Sequence, residues 1–305
     1  VAARPDEQFL TATPSPAGST PSLASSTPSH LGSTPVPAPP ASPGKAGRWL
    51  VRVVVVLMAL AVLLIVATIG AGWYFSSELL GVDHTTEYPV TVLAVGGDAV
   101  TLSRDANTAR PATVGLTWPG GHAILTDQVI LDGNRVVRTV DEIERGTLRP
   151  GVHAFIDMHV FDTDPRIGLD MSFSSVAIPD ELGPMPAWYV PPTTDVARDT
   201  WVIAVHGRGS DRTEALRVLP TVAATGCPSL IISYRNDVGA PASPDGRYHL
   251  GDTEWLDVQA AIEYARDHGA ARVVLYGWSM GGAVAMTALR RLPTAQASLV
   301  TAVVL

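Results

Sequence analysis

Twenty consecutive residues without a charge, Val53 to Gly72, constrain this chain more than any other feature. Only Thr68 among them is clearly polar. A helix rising about 1.5 Å per residue carries such a run across roughly 30 Å, the thickness of a bilayer's hydrocarbon core. Trp49 stands at one margin and Trp73-Tyr74-Phe75 at the other, as amphipathic rings do at a membrane interface. A cleaved leader would be shorter and would not follow a long polar segment, so the sequence predicts a transmembrane helix over residues 49–75. Lys45, Arg48 and Arg52 precede the span, whereas Glu78 and Asp83 follow it and no Lys or Arg appears until Arg104. Basic flanks stay in the cytoplasm. The expected topology is a single-pass protein of the cell membrane, N-terminus cytoplasmic and C-terminal domain extracytoplasmic.

Residues 1–48 hold ten of the 25 prolines, interleaved with Ser, Thr, Ala and Gly. So little apolar surface does not offset the entropy of ordering, and the expectation is a disordered tail. It serves as a tether or, alternatively, as a ligand for a partner that reads extended Pro-rich chain. The net charge of −8 and the absence of a basic patch argue against nucleic acid as a partner. Cys227 is the single cysteine, which excludes intrachain disulfides and cysteine-rich zinc sites.

Beyond the apolar run the pattern turns to strands. Tyr88–Val95 and Ala99–Ser103 flank the turn signal Gly96-Gly97-Asp98, and Gln128–Leu131 and Arg135–Val140 flank Asp132-Gly133-Asn134. Val114–Trp118 runs into Pro119-Gly120-Gly121, and Glu142 to Arg149 reads as a short helix or turn. Val152–Phe161 alternates, with Val152, Ala154, Ile156, Met158 and Val160 on one face. Residues 76–170 are therefore expected to form a small antiparallel β unit that serves spacing, substrate contact or partner contact. His153, Asp157 and His159 share the other face of its last strand. A solvated or partner-facing surface is the reading taken; half of a metal site is the alternative, and no metal is assigned.

From residue 171 strands alternate with helices. Met171–Ile178 and Ala187–Val190 read as a hairpin; Thr200–Val205, Ser229–Tyr234, Arg272–Tyr276 and Leu299–Leu305 read as further strands. Arg212–Thr225 is helical with an interruption at Pro220, and Asp252–His268 is a helix capped by Asp252 and closed by Gly269. Such alternation implies an α/β domain over residues 171–305 with a mostly parallel sheet, whose ligands bind beyond the carboxyl ends of the strands. Arg208, Arg235, Asn236 and Ser279 fall at that edge, and the loop Val238–Leu250 borders it.

Two of those strand ends carry chemistry. Arg272–Tyr276 leads into Gly277-Trp278-Ser279-Met280-Gly281-Gly282 and then an Ala-rich helix. A Ser on so sharp a strand-to-helix turn is strained, and Gly277, Gly281 and Gly282 clear the space around it. Upstream, Trp201–Val205 runs into His206-Gly207-Arg208-Gly209, with Asp211 and Glu214 at the spacing of a capping box. Together, from about Phe173 to Leu305, these motifs resemble the α/β-hydrolase family.

The resemblance implies a serine hydrolase that forms an acyl-enzyme on Ser279, with the backbone N–H groups of Met280 and Arg208 as oxyanion hole and Gly207 and Gly209 giving the loop its approach. It implies an ester, thioester or amide substrate, a small molecule or a lipid acyl group, and no cofactor. His206 is read as bracing its loop, not as the base. In the family the acid and the His follow the nucleophile, yet no Asp, Glu or His stands after Ser279. The expectation is that triad acid and base, with about two strands of the sheet, lie beyond Leu305, and that these 305 residues alone are a weak catalyst. An unorthodox base, His249 supported by Asp252, is the alternative within the chain. The contrasting reading is a membrane-anchored binding protein on a hydrolase-like scaffold.

Overall fold

The computed structural model describes residues 44–194 and 196–305. Helix α1, Lys45–Leu80, runs unbroken through the apolar segment and is one helix long and apolar enough to cross a membrane. It has no buried residue along its 36 positions. The proposed tail falls outside the described residues up to position 43; its last residues, from Lys45, are already helical, because nothing between Lys45 and the apolar run breaks a helix.

The β unit is a closed six-stranded barrel in the order β1-β2-β5-β4-β3-β6, with every pairing antiparallel. Its strands are β1 Val90–Gly96, β2 Ala99–Ser103, β3 Val114–Trp118, β4 Gly121–Asp132, β5 Arg135–Arg145 and β6 His153–Asp157. All three turn signals join paired strands: Gly96 faces Ala99, Trp118 faces Gly121 and Asp132 faces Arg135. Closure removes the free edges that a small sheet would expose. Val92, Val100, Leu102, Val114, Leu116 and Leu125 fill the interior. Two expectations are corrected. Glu142–Arg145 continues β5, since its pairing with β4 extends to His122. Strand β6 stops at Asp157, and the chain turns through Val160, held at φ 76°, so the alternation expected to Phe161 is cut short.

Arg138 of β5 is fully buried, which its sequence context did not announce. Its guanidinium donates to the carbonyls of Thr108, Arg110, Ala112 and Thr126 at 2.5–3.1 Å, tying the loop after β2 onto the barrel.

The second sheet has the order β12-β11-β9-β10-β8-β7. Its strands are β7 Ser174–Ile178, β8 Met185–Val190, β9 Thr200–Val205, β10 Ser229–Ile232, β11 Arg272–Gly277 and β12 Val300–Val304. Strands β10, β9, β11 and β12 run parallel, whereas β7 and β8 are antiparallel. Helix α2, Pro165–Leu169, precedes this sheet. Helix α4, Trp255–Asp267, and helix α5, Met280–Arg291, cover one face. Val258, Ala261, Ile262 and Ala265 of α4 join Val284, Ala285 and Ala288 of α5 in the core with Ile203, Val205 and Leu275. Leu216 and Leu219 pack with Trp188, Ala204 and Ile231 in a separate cluster.

The segment expected to be one helix over Arg212–Thr225 is a 3₁₀ turn, Arg212–Ala215, followed by α3, Leu219–Ala224. Pro220 sits in the first turn of α3, where its missing N–H costs nothing, so it starts a helix instead of bending one. Asp252 does not cap α4. It pairs with Arg291, while Glu254 accepts the N–H groups of His249 and Gly251. A short helix α6, Thr294–Ala297, leads to β12.

Candidate active site

Ser279 is exposed between the carboxyl end of β11 and the first turn of α5, at φ 49° and ψ −115°. That is a costly backbone for a residue with a Cβ, and such strain persists only where packing over-determines it. Here it does. A Cβ at Gly281 would lie 2.1 Å from the Val205 carbonyl oxygen, and one at Gly277 would lie 2.6 Å from that of Gly281. The end of β9, the turn and the helix start are in backbone contact. The Trp278 N–H also donates to Val205 at 3.1 Å, and Gly281 N–H donates to Trp278 at 2.7 Å. Met280 is the first residue of α5, so its N–H has no carbonyl one turn earlier, and it donates to no group among the described residues.

The loop after β9 lies against this turn. A Cβ at Gly207 would stand 3.3 Å from that of Ser279. The Gly207 peptide is held from both sides. Its N–H donates to Glu214 Oε2 at 2.8 Å, and its carbonyl accepts from Tyr234 Oη at 3.0 Å and from His206 Nδ1 at 2.8 Å. With that peptide fixed, the next N–H, that of Arg208, is left without an acceptor among the described residues. Gly209 follows at φ 69°. The Arg208 side chain reaches away, donating to the carbonyls of Glu78 and Gly81 at 2.7 and 3.1 Å.

His206 is buried, and its Nε2 donates to Asp237 Oδ2 at 2.7 Å. Both ring nitrogens thus face acceptors, which suits the imidazolium. Burial opposes its charge, but the Asp237 carboxylate and the Gly207 carbonyl outweigh burial and raise its pKa above the ordinary value. The ring stacks on Tyr234 at 4.3 Å. His206 braces the loop, as its sequence position suggested.

Other residues expected at the strand edge are used differently. Arg235 is buried and bidentate to Asp257 at 2.9–3.0 Å, with Glu181 at 3.1 Å, so it anchors α4 and does not face a ligand. Asn236, at φ 74°, uses its side chain to tie the loop at Ser243 and Arg247. His249 does not pair with Asp252; it meets Asp245 at 3.2 Å and Thr253 at 3.1 Å. No described imidazole hydrogen-bonds to Ser279.

Glu214 was expected to complete a capping box with Asp211. Asp211 does cap the 3₁₀ turn, accepting Thr213 N–H at 2.7 Å, but the Glu214 carboxylate reaches Gly207 instead. On the barrel, His153 is exposed on β6, and four residues of extended strand separate it from Asp157 by about 13 Å, too far to share an ion. Asp157 and His159 do meet, at 3.5 Å, because the strand turns between them. His159 also lies 3.5 Å from Glu214. A cleft of about 630 Å³ opens here, lined by Asp157, His159 and Asp162 from one side and Ser210, Asp211 and Thr213 from the other.

The family profile described as "Alpha/beta hydrolase family" matches residues 202–305, which begin inside β9 and include both the Gly207 loop and the Ser279 turn. That carboxyl-terminal segment belongs to the α/β-hydrolase family. The profile described as "Domain of unknown function (DUF8805)" matches residues 91–157, the barrel almost strand for strand. No curated protein matches the chain. Among solved structures, an esterase of Pyrococcus furiosus is 25% identical, covering 43% of this chain and 51% of that one, with a TM-score of 0.37. An α/β serine hydrolase without a lid from Xanthomonas campestris is 21% identical, covering 40% and 57%, with a TM-score of 0.35. An esterase from the archaeon Pyrobaculum calidifontis is 22% identical, covering 39% of each chain, with a TM-score of 0.32. The chain spans about half the length of the first two structures and less of the third.

Proposed function

We propose that this chain is part of a membrane-anchored serine hydrolase. Ser279 attacks an ester, thioester or amide carbonyl to form an acyl-enzyme. The N–H groups of Met280 and Arg208 hold the oxyanion, with Gly207, Gly209, Gly277, Gly281 and Gly282 allowing the close approach. Two backbone donors aimed at developing negative charge contribute a large share of such catalysis. The observation that carries the reading is the Ser279 backbone, strained at φ 49° on an exposed turn with the Gly207 loop against its Cβ. A serine with a purely structural role has no need of that conformation. Residues 49–75 anchor the chain in the cell membrane, and the basic flank Lys45, Arg48 and Arg52 favours a cytoplasmic N-terminus. Carboxylic esters or lipids near the membrane surface are the preferred substrates, and no cofactor takes part in the acyl transfer.

The test is covalent labelling of the membrane-embedded protein with a fluorophosphonate, followed by peptide mass spectrometry. The expected result is a single adduct on Ser279 that Ser279→Ala removes. Labelling elsewhere, or none in a preparation that melts cooperatively, would overturn the reading. Protease added to intact cells should cut the C-terminal domain, and protection of that domain would reverse the topology.

One observation favours a second reading, a non-catalytic binding protein. No described imidazole hydrogen-bonds to Ser279. An unlabelled but folded protein would support it.

A further inference from the structure

We propose that the barrel carries a binding site for a divalent transition-metal ion, formed by His122, Glu144 and Asp162. The proposal stands apart from the hydrolase reading, since none of the three belongs to the Ser279 turn or the Gly207 loop.

The three side chains come from separate places, β4, β5 and the segment after β6, and converge on one point. Their ligating atoms all lie within 4.8 Å of one another. Glu144 Oε2 stands 3.7 Å from His122 Nε2, and Asp162 Oδ2 stands 3.6 Å from His122 Nδ1. Nitrogen and oxygen ligands around an ion at about 2.0–2.2 Å sit roughly 3.0–3.5 Å apart. Asp162 Oδ2 is thus near ligand spacing from Nδ1, whereas Glu144 Oε2, nearest Nε2, has to swing along the ring edge to share the ion.

The polar accounting points to an ion more strongly than the spacing does. The Glu144 side chain is 3% exposed, and its Oε2 has no hydrogen-bond partner among the described residues. Asp162 Oδ1 is likewise buried and unpartnered, while its Oδ2 takes Arg145 at 2.8 Å. Buried carboxylate oxygens without donors are rare, because burial removes water and supplies nothing in exchange. Among the described residues the only cation in contact, Arg145, is half exposed and engages a single oxygen. A divalent ion would give Glu144 Oε2 a partner and, with Asp162 bound through both oxygens, Asp162 Oδ1 as well.

His122 is prepared as a ligand. It is fully buried, and its Nε2 lies 2.8 Å from the Val160 carbonyl oxygen. A carbonyl only accepts, so Nε2 carries the proton and the Nδ1 lone pair is left available. A metal-bound histidine usually donates its second ring nitrogen in this way. Val160 presents that carbonyl from φ 76°, a strained backbone for a β-branched residue. A Cβ at Gly115 would lie 2.5 Å from the His122 ring and 2.8 Å from the Val160 oxygen, so a glycine is needed behind the ring. Thr117 Oγ1, now 2.7 Å from Nδ1, would give way to the ion.

The donor set selects the ion. One imidazole with two carboxylates suits Zn²⁺ or Mn²⁺, whereas Mg²⁺ and Ca²⁺ prefer oxygen alone. Thr117 and Asp162 also line the cleft between the barrel and the Ser210–Thr213 segment. A coordination position left open by the three ligands would face that cleft and take a water or a ligand oxygen.

The experiment uses the full chain in detergent, stripped with chelator and then dialysed against Zn²⁺, Mn²⁺ or Mg²⁺. Metal content and the melting temperature are read together. The expected result is about one Zn²⁺ retained per chain and a higher melting temperature, with no response to Mg²⁺. Glu144→Gln and Asp162→Asn should each weaken Zn²⁺ binding by at least about tenfold. His153→Gln on the exposed end of β6 should not. Glu144→Gln replaces an unpaired acid with a neutral amide, so the metal-free variant should melt no lower than the metal-free parent. Equal Zn²⁺ retention by the parent and both carboxylate variants, or no retention by the parent, would overturn the site. Should either variant fail to fold, loss of Co²⁺ d–d absorption in the other decides the matter by the same criterion.

Discussion

The Glu214 carboxylate accepts the Gly207 N–H at 2.8 Å and so fixes the peptide that precedes the Arg208 N–H, which has no acceptor among the described residues. Glu214 is buried, and its other oxygen takes Arg217 at 2.9 Å. Glu214→Ala leaves a buried N–H unsatisfied and should cost about 1–3 kcal/mol of stability. If the Arg208 amide is an oxyanion donor, loosening it should also slow acylation of Ser279 by roughly ten- to a hundredfold, less than outright loss of a donor. Fluorophosphonate labelling rates in parent and variant measure this, with denaturant melts to separate folding from chemistry. An unchanged labelling rate in a folded Glu214→Ala protein would remove Arg208 from the proposed site.

Ser279 holds φ 49° at a cost that glycine would not incur. Ser279→Gly should therefore raise stability by about 1 kcal/mol while abolishing labelling, a stability gain bought by loss of function. Ser279→Ala keeps the Cβ and the strain, so it should abolish labelling with little change in melting temperature. A glycine variant that melts lower than the alanine variant would show that the turn is not strained by its side chain.

The glycines around the turn are not equivalent. Gly281 has the Val205 and His206 carbonyls within 2.5 Å of where a Cβ would stand, and both are backbone atoms of a central strand end. A Cβ at Gly282 would come nearest the end of the Leu305 side chain, at 3.1 Å, and would stand at ordinary contact distance, 3.6 Å, from the Gly277 carbonyl oxygen. Gly281→Ala should destabilise by more than about 3 kcal/mol or prevent folding, whereas Gly282→Ala should cost about 1 kcal/mol or less. Chemical denaturation of the two variants side by side provides the check.

Local signals carried much of this architecture. The hairpins at Gly97, Gly120 and Gly133, the apolar helix, and the strand–turn–helix at Ser279 all follow from residues adjacent in the chain. Barrel closure does not, because it depends on β1 meeting β6 across some sixty residues, and no local pattern encodes that pairing. The same limit hid His122, Glu144 and Asp162, three unremarkable polar residues until β4, β5 and the turn after Asp157 bring them together. Glu214 shows a subtler failure. Its spacing from Asp211 fitted a capping box, but the Gly207 N–H offered a buried partner and won. Arg235 was legible as a strand-end residue, yet its partner Asp257 lies one helix later, and only folding shows that the pair is internal.

His206 supplies a pH dependence whose sign is fixed by its surroundings. Its pKa in the folded protein lies above the ordinary value of about 6.5, because Asp237 and the Gly207 carbonyl favour the imidazolium despite burial. A group whose pKa is raised on folding contributes its full stability below the unfolded pKa and loses it as pH climbs through the folded one. The contribution of His206 should thus be intact at pH 6 and decline on the alkaline side of 6.5, by up to about 1.4 kcal/mol per pH unit. His206→Gln keeps a neutral donor toward Asp237 and should flatten that decline. Denaturation midpoints for both proteins between pH 6 and 9 give the difference curve. A difference that grows toward higher pH would mean that His206 is buried as the neutral ring, and that the Gly207 loop is held without its charge.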